Sequence, residues 1–266
     1  MQTKTLENFK NSDHLVAKLL VLSEEKQICL LDSCGVSHLG SRFLLCGLNS
    51  LETHEISDEN YKKTLRFFEE KLEKHQSLAV FTLSYELGLK INDLEYQKNS
   101  INNPIEPDIF LALFDCFIIF DYETNTTQLC GNEKRFREIE NLLENATNHE
   151  KYANFQHQQT TKVESNFTKA EYLAKIEKIK EFIRRGDTYQ TNLTQQFTAE
   201  LPENLSPQQI FYNLRKNHPA PFASFIQRHK TTVISASPER FFKVENGKGK
   251  MDSENDGKDY PLSVIR

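Results

Sequence analysis

Between residues 147 and 166 the chain almost stops using aliphatic side chains. The text there runs Thr147-Asn148-His149-Glu150-Lys151-Tyr152 and on through Gln156-His157-Gln158-Gln159 to Asn166. A segment that offers so little to a core reads as a connection between two folded parts. It divides the 266 residues into a first part over 1–146, a linker over 147–166 and a second part over 167–248, with a tail from 249 to 266. The length suits one large domain or two small ones, with no need of covalent staples.

Both parts mix strand-like and helix-like text without a strand–helix–strand rhythm. In the first, Gln27–Leu31, Arg42–Leu48, Leu78–Leu83, Ile109–Tyr122 and Thr127–Cys130 read as strands. Tyr61–His75 and Asn132–Asn145 read as helices. In the second, Thr168 with Glu171 three residues later forms a capping box. Tyr172, Ile176, Ile179 and Ile183 then share one helical face, and Gly186 is placed to end the helix. Thr188–Phe197 follows as a polar strand, and Ser206-Pro207 opens another helix. Phe222–Gln227, Thr231–Ser235 and Phe241–Val244 are short strands. The pattern predicts an α+β fold. In it an incomplete antiparallel sheet pairs the N-terminal half with strands after residue 187, and helices pack on it. The turn Asn246-Gly247 calls for a further strand, but Lys248 onward shows no alternation, so no strand and poor packing are expected from about Gly249.

A net charge of −5 argues against a nucleic-acid partner. The apolar stretches Leu15–Leu22 and Ile109–Phe120 carry Lys18 and Asp115 and are too short to span a membrane. With no targeting segment in view, a cytoplasmic location is expected. Five cysteines, at 29, 34, 46, 116 and 130, include no C-x-x-C pair and read as buried small hydrophobes. Eight histidines are scattered with no i, i+4 pair, and no metal site is expected among these residues.

Two polar segments stand out. Gly186–Gln195 would line a polar cavity or wet one face of an edge strand. Ser235-Ala236-Ser237-Pro238-Glu239-Arg240 places a carboxylate at a strand end, as a proton-transfer group, a metal ligand or one half of a surface ion pair.

Taken in order, the segment Arg184-Arg185-Gly186-Asp187, Tyr189-Gln190-Thr191-Asn192-Leu193-Thr194-Gln195, Pro219-Ala220-Pro221-Phe222 and Ser235-Ala236-Ser237-Pro238-Glu239-Arg240-Phe241 strongly resembles the chorismate-utilising enzymes. Leu30-Leu31-Asp32-Ser33 looks like that family's Leu-Leu-Glu-Ser element with Asp for Glu. Ser84-Tyr85-Glu86-Leu87-Gly88 and Pro107-Asp108 also fit. The resemblance implies an anthranilate-synthase-like fold, with 1–146 as its N-terminal region and 167–248 as the start of its chorismate-binding domain. Asn192, Thr194 and Arg240 favour the aminodeoxychorismate synthase component I branch over the anthranilate synthase component I branch.

The reaction so implied is amination of chorismate to 4-amino-4-deoxychorismate, toward p-aminobenzoate and folate. Ammonia would come from a glutamine amidotransferase, component II. Glu239 inherits an active-site role. Ser33, Asn192, Pro221 and Phe222 map to the family's regulatory pocket for tryptophan, with His218 where many members have Asn. Magnesium is the family's cofactor, and the resemblance places its ligands, together with most of the catalytic set, beyond residue 266. The chain therefore reads as a truncated product with an aberrant tail over 249–266. Alone it is expected not to aminate chorismate, which leaves a non-catalytic ligand- or partner-binding fragment as the alternative.

Overall fold

The computed structural model describes residues 1–37, 41–75, 78–94, 106–147, 150–153, 161–245, 248–250 and 260–261. The strands are β1 Gln2–Leu6, β2 Ile28–Asp32, β3 Phe43–Leu48, β4 Glu52–Ile56, β5 Leu78–Leu83, β6 Ile109–Phe114, β7 Cys116–Asp121, β8 Thr126–Gly131, β9 Val163–Ser165, β10 Phe197–Ala199, β11 Phe222–Gln227, β12 Thr232–Ser237, β13 Lys243–Glu245, β14 Lys248–Lys250 and β15 Tyr260–Pro261. The helices are α1 Ser12–Leu22, α2 Tyr61–Lys74, α3 Tyr85–Ile91, α4 Phe136–Asn145, α5 Glu150–Ala153, α6 Lys169–Arg185 and α7 Pro207–Asn217. They form two compact units, one of residues 1–155 with 207–266 and one of 156–206.

The first unit is built on a seven-stranded sheet of order β1-β8-β7-β3-β2-β11-β12 and a three-stranded sheet of order β4-β6-β5. Every pairing is antiparallel, and β11, from beyond residue 187, pairs with β2 as expected. One face of the large sheet buries Leu30, Leu44, Ile118 and Phe225 against Leu15 and Leu19 of α1, Ile139 and Leu143 of α4 and Phe211 of α7. Its other face meets the small sheet through Cys29, Ile226, Phe110 and Phe114. Beyond that, Ile109, Leu111 and Leu113 pack toward Tyr61, Leu65, Phe68 and Leu72 of α2. The layers therefore run helix, sheet, sheet, helix.

That layering explains the longest apolar run. β6 is buried on both faces, so alternation vanishes from its text. The expected single strand Ile109–Tyr122 is instead two, because the chain leaves the small sheet at Asp115 and enters the large one at Cys116. The Asp115 carboxylate pairs with Arg135 at 3.1 Å and accepts from Asn132 Nδ2 at 2.9 Å, which anchors the crossing.

The apolar stretch with Lys18 is helix α1, buried nearly all round. The Lys18 ammonium donates to the carbonyls of Leu143 at 3.0 Å and Ala146 at 2.8 Å, at the end of α4. There a cation meets unpaired carbonyls and the negative end of the helix dipole. Within the aliphatic-poor segment, α5 carries Tyr152, which is buried in the main core and receives Gln209 Nε2 at its carbonyl oxygen at 3.1 Å. Among the described residues no helix is long and apolar enough to cross a membrane.

Two expectations are corrected. Thr188–Phe197 is not a strand; only Phe197–Ala199 is. Its polar side chains bond instead, Thr188 Oγ1 locally to the Gln190 carbonyl at 3.1 Å and Gln195 Nε2 to Ser165 Oγ, 30 positions away, at 2.7 Å. Beyond Asn246-Gly247 the missing strand is present: β14 pairs with β13 in the register Lys243↔Lys250 and with β15 at Gly249↔Tyr260. Backbone pairing makes that ribbon without the side-chain alternation that signals a strand over a core. The rest of the tail, 251–259 and 262–266, lies outside the described residues.

The second unit contains α6 and the antiparallel pair β9–β10. Its capping box is complete, Thr168 and Glu171 each satisfying the other's backbone N–H. Gly186 ends α6 in the left-handed region at φ +78°.

Candidate functional site

Three segments meet at one end of the large sheet. Asp32, the last residue of β2, pairs with Ala223, and Phe222, the first residue of β11, pairs with Ser237, the last of β12. The turn after β2, the approach Pro219–Phe222 and the segment Pro238–Arg240 therefore share that end.

The turn after β2 is tightly specified. Ser33 N donates to the Phe43 carbonyl at 3.2 Å, Val36 N to the Ser33 carbonyl at 3.0 Å, and Cys34 N to Asp32 Oδ1 at 2.8 Å. Cys34 and Gly35 lie in the left-handed region at φ +53° and +66°. A Cβ on Gly35 would come within 3.1 Å of the Tyr122 ring, so both the backbone and the tight space favour glycine here.

Asp32 anchors this turn from a side chain that is 0 % exposed. Its Oδ1 also accepts from the Tyr122 hydroxyl at 2.7 Å, and its Oδ2 accepts from Arg215 Nε at 2.6 Å. Arg215, 8 % exposed, reaches from α7 and also bonds the Tyr122 oxygen at 3.0 Å, Asp13 and Ser12. Burial works against the Arg215 charge, but Asp32 and Tyr122 outweigh it and hold the guanidinium protonated more firmly than usual. Burial, and then the Asp32 charge, push the Tyr122 phenol above its ordinary range. The same two causes, in the same order, push the half-buried Cys34 thiol up to about 11.

The residues singled out from the sequence fall as follows. Ser33 is 4 % exposed and its hydroxyl finds no partner among the described residues. Pro221 is buried and Phe222 half-buried, one step beyond the last β2–β11 pair. The Arg240 guanidinium stands 5.7 Å from the centre of the Phe222 ring. Glu239 is exposed, its backbone held by Ser237 Oγ, which donates to the Glu239 carbonyl at 2.8 Å. Ser33, Pro221, Phe222 and Glu239 are thus grouped at one sheet end. Asn192 belongs to the second unit, exposed in the coil before β10. Among the described residues no three His, Cys, Asp or Glu side chains converge on a common point.

The Arg215–Asp32–Tyr122 network was not foreseen. Arg215 lies 183 positions from Asp32, and Asp32 lies 90 from Tyr122, so no spacing rule links them. An open depression of about 250 Å³ lined by Thr53, His54, Glu55, Phe110 and His229 lies elsewhere. The His229 N–H donates to Glu55 Oε1 across it at 3.0 Å.

This chain belongs to the chorismate binding enzyme family, whose model matches residues 35–252. It is similar to aminodeoxychorismate synthase component 1 of Salmonella typhimurium, 28% identical over 175 residues, covering 65% of this chain and 36% of that one. The Escherichia coli protein of the same name is 28% identical over 173 residues, covering 64% of this chain and 36% of that one. Anthranilate synthase component 1 of Bacillus pumilus is 30% identical over 158 residues, covering 49% and 29%. The crystal structure of anthranilate synthase component I from Streptococcus pneumoniae shares the fold, with a TM-score of 0.59 at 19% identity over 80% of this chain and 54% of that one. The chain spans about a third of the length of these curated relatives.

Proposed function

We propose that the chain serves aminodeoxychorismate synthase component I, in which chorismate and ammonia give 4-amino-4-deoxychorismate for p-aminobenzoate and folate. In this reading it works in the cytoplasm beside a glutamine amidotransferase that delivers ammonia. The observation that carries it is the convergence of Asp32-Ser33, Pro221-Phe222 and Ser237-Pro238-Glu239 at one end of the large sheet. Ser33, Pro221 and Phe222 give a hydroxyl and an apolar wall, which suit L-tryptophan as a bound effector. The part of Asn192 in that pocket rests on the resemblance alone. Glu239 acts by moving a proton as the chorismate hydroxyl leaves. Among the described residues no group of three His, Cys, Asp or Glu side chains converges that could hold magnesium.

Because the described residues bring one site carboxylate and no metal set, the chain by itself is expected to bind and not to turn chorismate over. Its branch is tested by co-expression with the C-terminal portion of the Escherichia coli relative in strains lacking either synthase. Relief of the p-aminobenzoate requirement supports the proposal. Relief of the tryptophan requirement supports the second reading, anthranilate synthase component I, which the Bacillus pumilus similarity favours. Relief of neither would leave a non-catalytic binding fragment. In the complementing pair Glu239→Gln is expected to cut activity by about 100-fold or more. Its melting temperature should stay within about 1 °C, since the side chain is exposed.

A further inference from the structure

The Asp32 carboxylate, 0 % exposed, spends three of its roughly four acceptor sites on the protein. Tyr122 and the Cys34 N–H occupy Oδ1, and Arg215 occupies Oδ2. So enclosed, its carboxylate works on the protein itself: it holds the turn that follows it. That turn needs holding, because a non-glycine residue in the left-handed region is strained and persists only where its surroundings enforce it. At Cys34 the enforcing bond is the one from its own N–H to Asp32 Oδ1. Asp32 is in turn fixed by Arg215, which stands in the last turn of α7, three residues before His218 and the Pro219–Phe222 approach. One guanidinium thus ties together both walls of the sheet end, where the Ser33 hydroxyl is buried without a hydrogen-bond partner among the described residues.

We propose that Arg215 is the positioning residue of this sheet end: through Asp32 it holds the Ser33–Val36 turn, and with it the Ser33 hydroxyl, against the Pro221–Phe222 wall. Its geometry is independent of any ligand; that the ligand is L-tryptophan rests on the pocket reading above.

The test uses two readouts on the whole chain under native, reducing conditions. The first is the rate at which iodoacetamide modifies Cys34, followed by mass spectrometry of that peptide. The half-buried thiol reports whether the turn opens. The second is L-tryptophan binding, read from indole fluorescence, which is unobscured because the chain has no tryptophan of its own. Arg215→Lys keeps the charge but loses the planar fork. It is expected to speed Cys34 modification about tenfold or more, as local opening becomes easier, and to weaken tryptophan binding by a similar factor.

The control is Arg228→Gln, which breaks the ion pair of another buried arginine with an exposed carboxylate. Arg228 is 3 % exposed and bonds both oxygens of Glu106, at 2.6 and 2.9 Å. It should lower the melting temperature while leaving both readouts within about twofold of wild type. If Arg215→Lys leaves the Cys34 rate unchanged, or if Arg228→Gln raises it equally, the positioning role is overturned. Should Arg215→Lys fail to fold, Tyr122→Phe removes a single hydroxyl from the same network and is expected to raise the Cys34 rate about threefold. No change there overturns the proposal equally. A wild-type chain that does not bind L-tryptophan overturns the pocket reading, and the Cys34 rates still decide the role of Arg215.

Discussion

Gly131→Ala is expected to unfold the chain or lower its melting temperature by roughly 10 °C or more, although it adds a single methyl group. Gly131 closes β8 at φ +121°, a conformation that only glycine adopts without strain. A Cβ there would lie 2.1 Å from the Asp115 carbonyl oxygen and 3.0 Å from the Cys116 Cα. Both are backbone atoms, so no side-chain rotation relieves the clash. They are also the atoms at which the chain passes from the small sheet to the large one. Backbone strain and overpacking each cost on the order of 1–3 kcal/mol, and here they add at one point.

Two other glycines calibrate the result. A Cβ on Gly47 would come within 2.6 Å of the Phe114 ring, a side chain with some freedom to shift, so Gly47→Ala should cost less. Gly88 sits in α3 with nothing within 4 Å, and Gly88→Ala should stabilise by about 0.5–1 kcal/mol through helix propensity. Circular dichroism melts order the three. A Gly131→Ala protein that melts within about 2 °C of wild type would contradict the described crossing at Asp115.

Much of the fold was legible where local chemistry leaves a mark. β11 occupies the predicted Phe222–Gln227, because a β-branched and aromatic run between Pro221 and the Arg228–Lys230 turn has few alternatives. Helix α6 begins at its capping box and stops at its glycine, since both devices act within four residues. What stayed hidden depends on partners far away in the chain. The run Ile109–Phe120 shows no period because β6 faces two cores, so the change of sheet at Asp115 left only a single polar residue as its trace. Thr188–Gln196 has the composition of a polar strand, but among the described residues no strand pairs with it.

The site divides in the same way. Ser33, Pro221, Phe222 and Glu239 were reached through motifs that resemble a family, and the sheet brings all four to one end. Arg215 and Tyr122 belong to no motif. They matter because α7 and the end of β7 fold against Asp32, and no sequence pattern encodes an ion pair across 183 positions. The resemblance drew Ser33 of Leu-Leu-Asp-Ser into the pocket and gave the Asp32 before it no role. The geometry shows the Asp32 carboxylate spent on holding the chain.

Raising the pH above about 9 is expected to destabilise this protein far more steeply than its composition suggests, and the cause is its cysteines. Cys29 and Cys46 are completely enclosed. Burial pushes the Cys29 thiol from an ordinary value near 9 up to about 12, and it also holds the Cys46 thiol well above its ordinary value, with the neighbouring Cys29 adding to the effect. Cys116 is also pushed up to about 12 by burial and then by Asp115, and burial raises Cys130. In the unfolded chain these thiols ionise near their ordinary value, whereas in the folded chain they keep their protons. Between the two values the unfolded state binds fewer protons, so the free energy of unfolding falls as pH rises.

Each such thiol removes about 1.4 kcal/mol per pH unit, so Cys29 and Cys46 alone remove about 3. An ordinary stability of about 5–15 kcal/mol is then exhausted within a few pH units above 9. The phenols of Tyr122 and Tyr152, both raised by burial, steepen the loss further above pH 10. Oxidation does not intervene between the two enclosed thiols. Cys29 pairs with Gly47 and Cys46 with Leu30, which sends their side chains to opposite faces of the sheet. Urea midpoints at pH 8, 9 and 10 under reducing conditions measure the slope. Cys29→Ala should lower stability at pH 7 yet flatten the alkaline slope by about 1.4 kcal/mol per unit, because one retained proton is gone. Equal midpoints at pH 8 and 10 in the wild-type chain would mean that hydroxide reaches these thiols in the folded state. The sheet between the two cores would then be open where it is described as sealed.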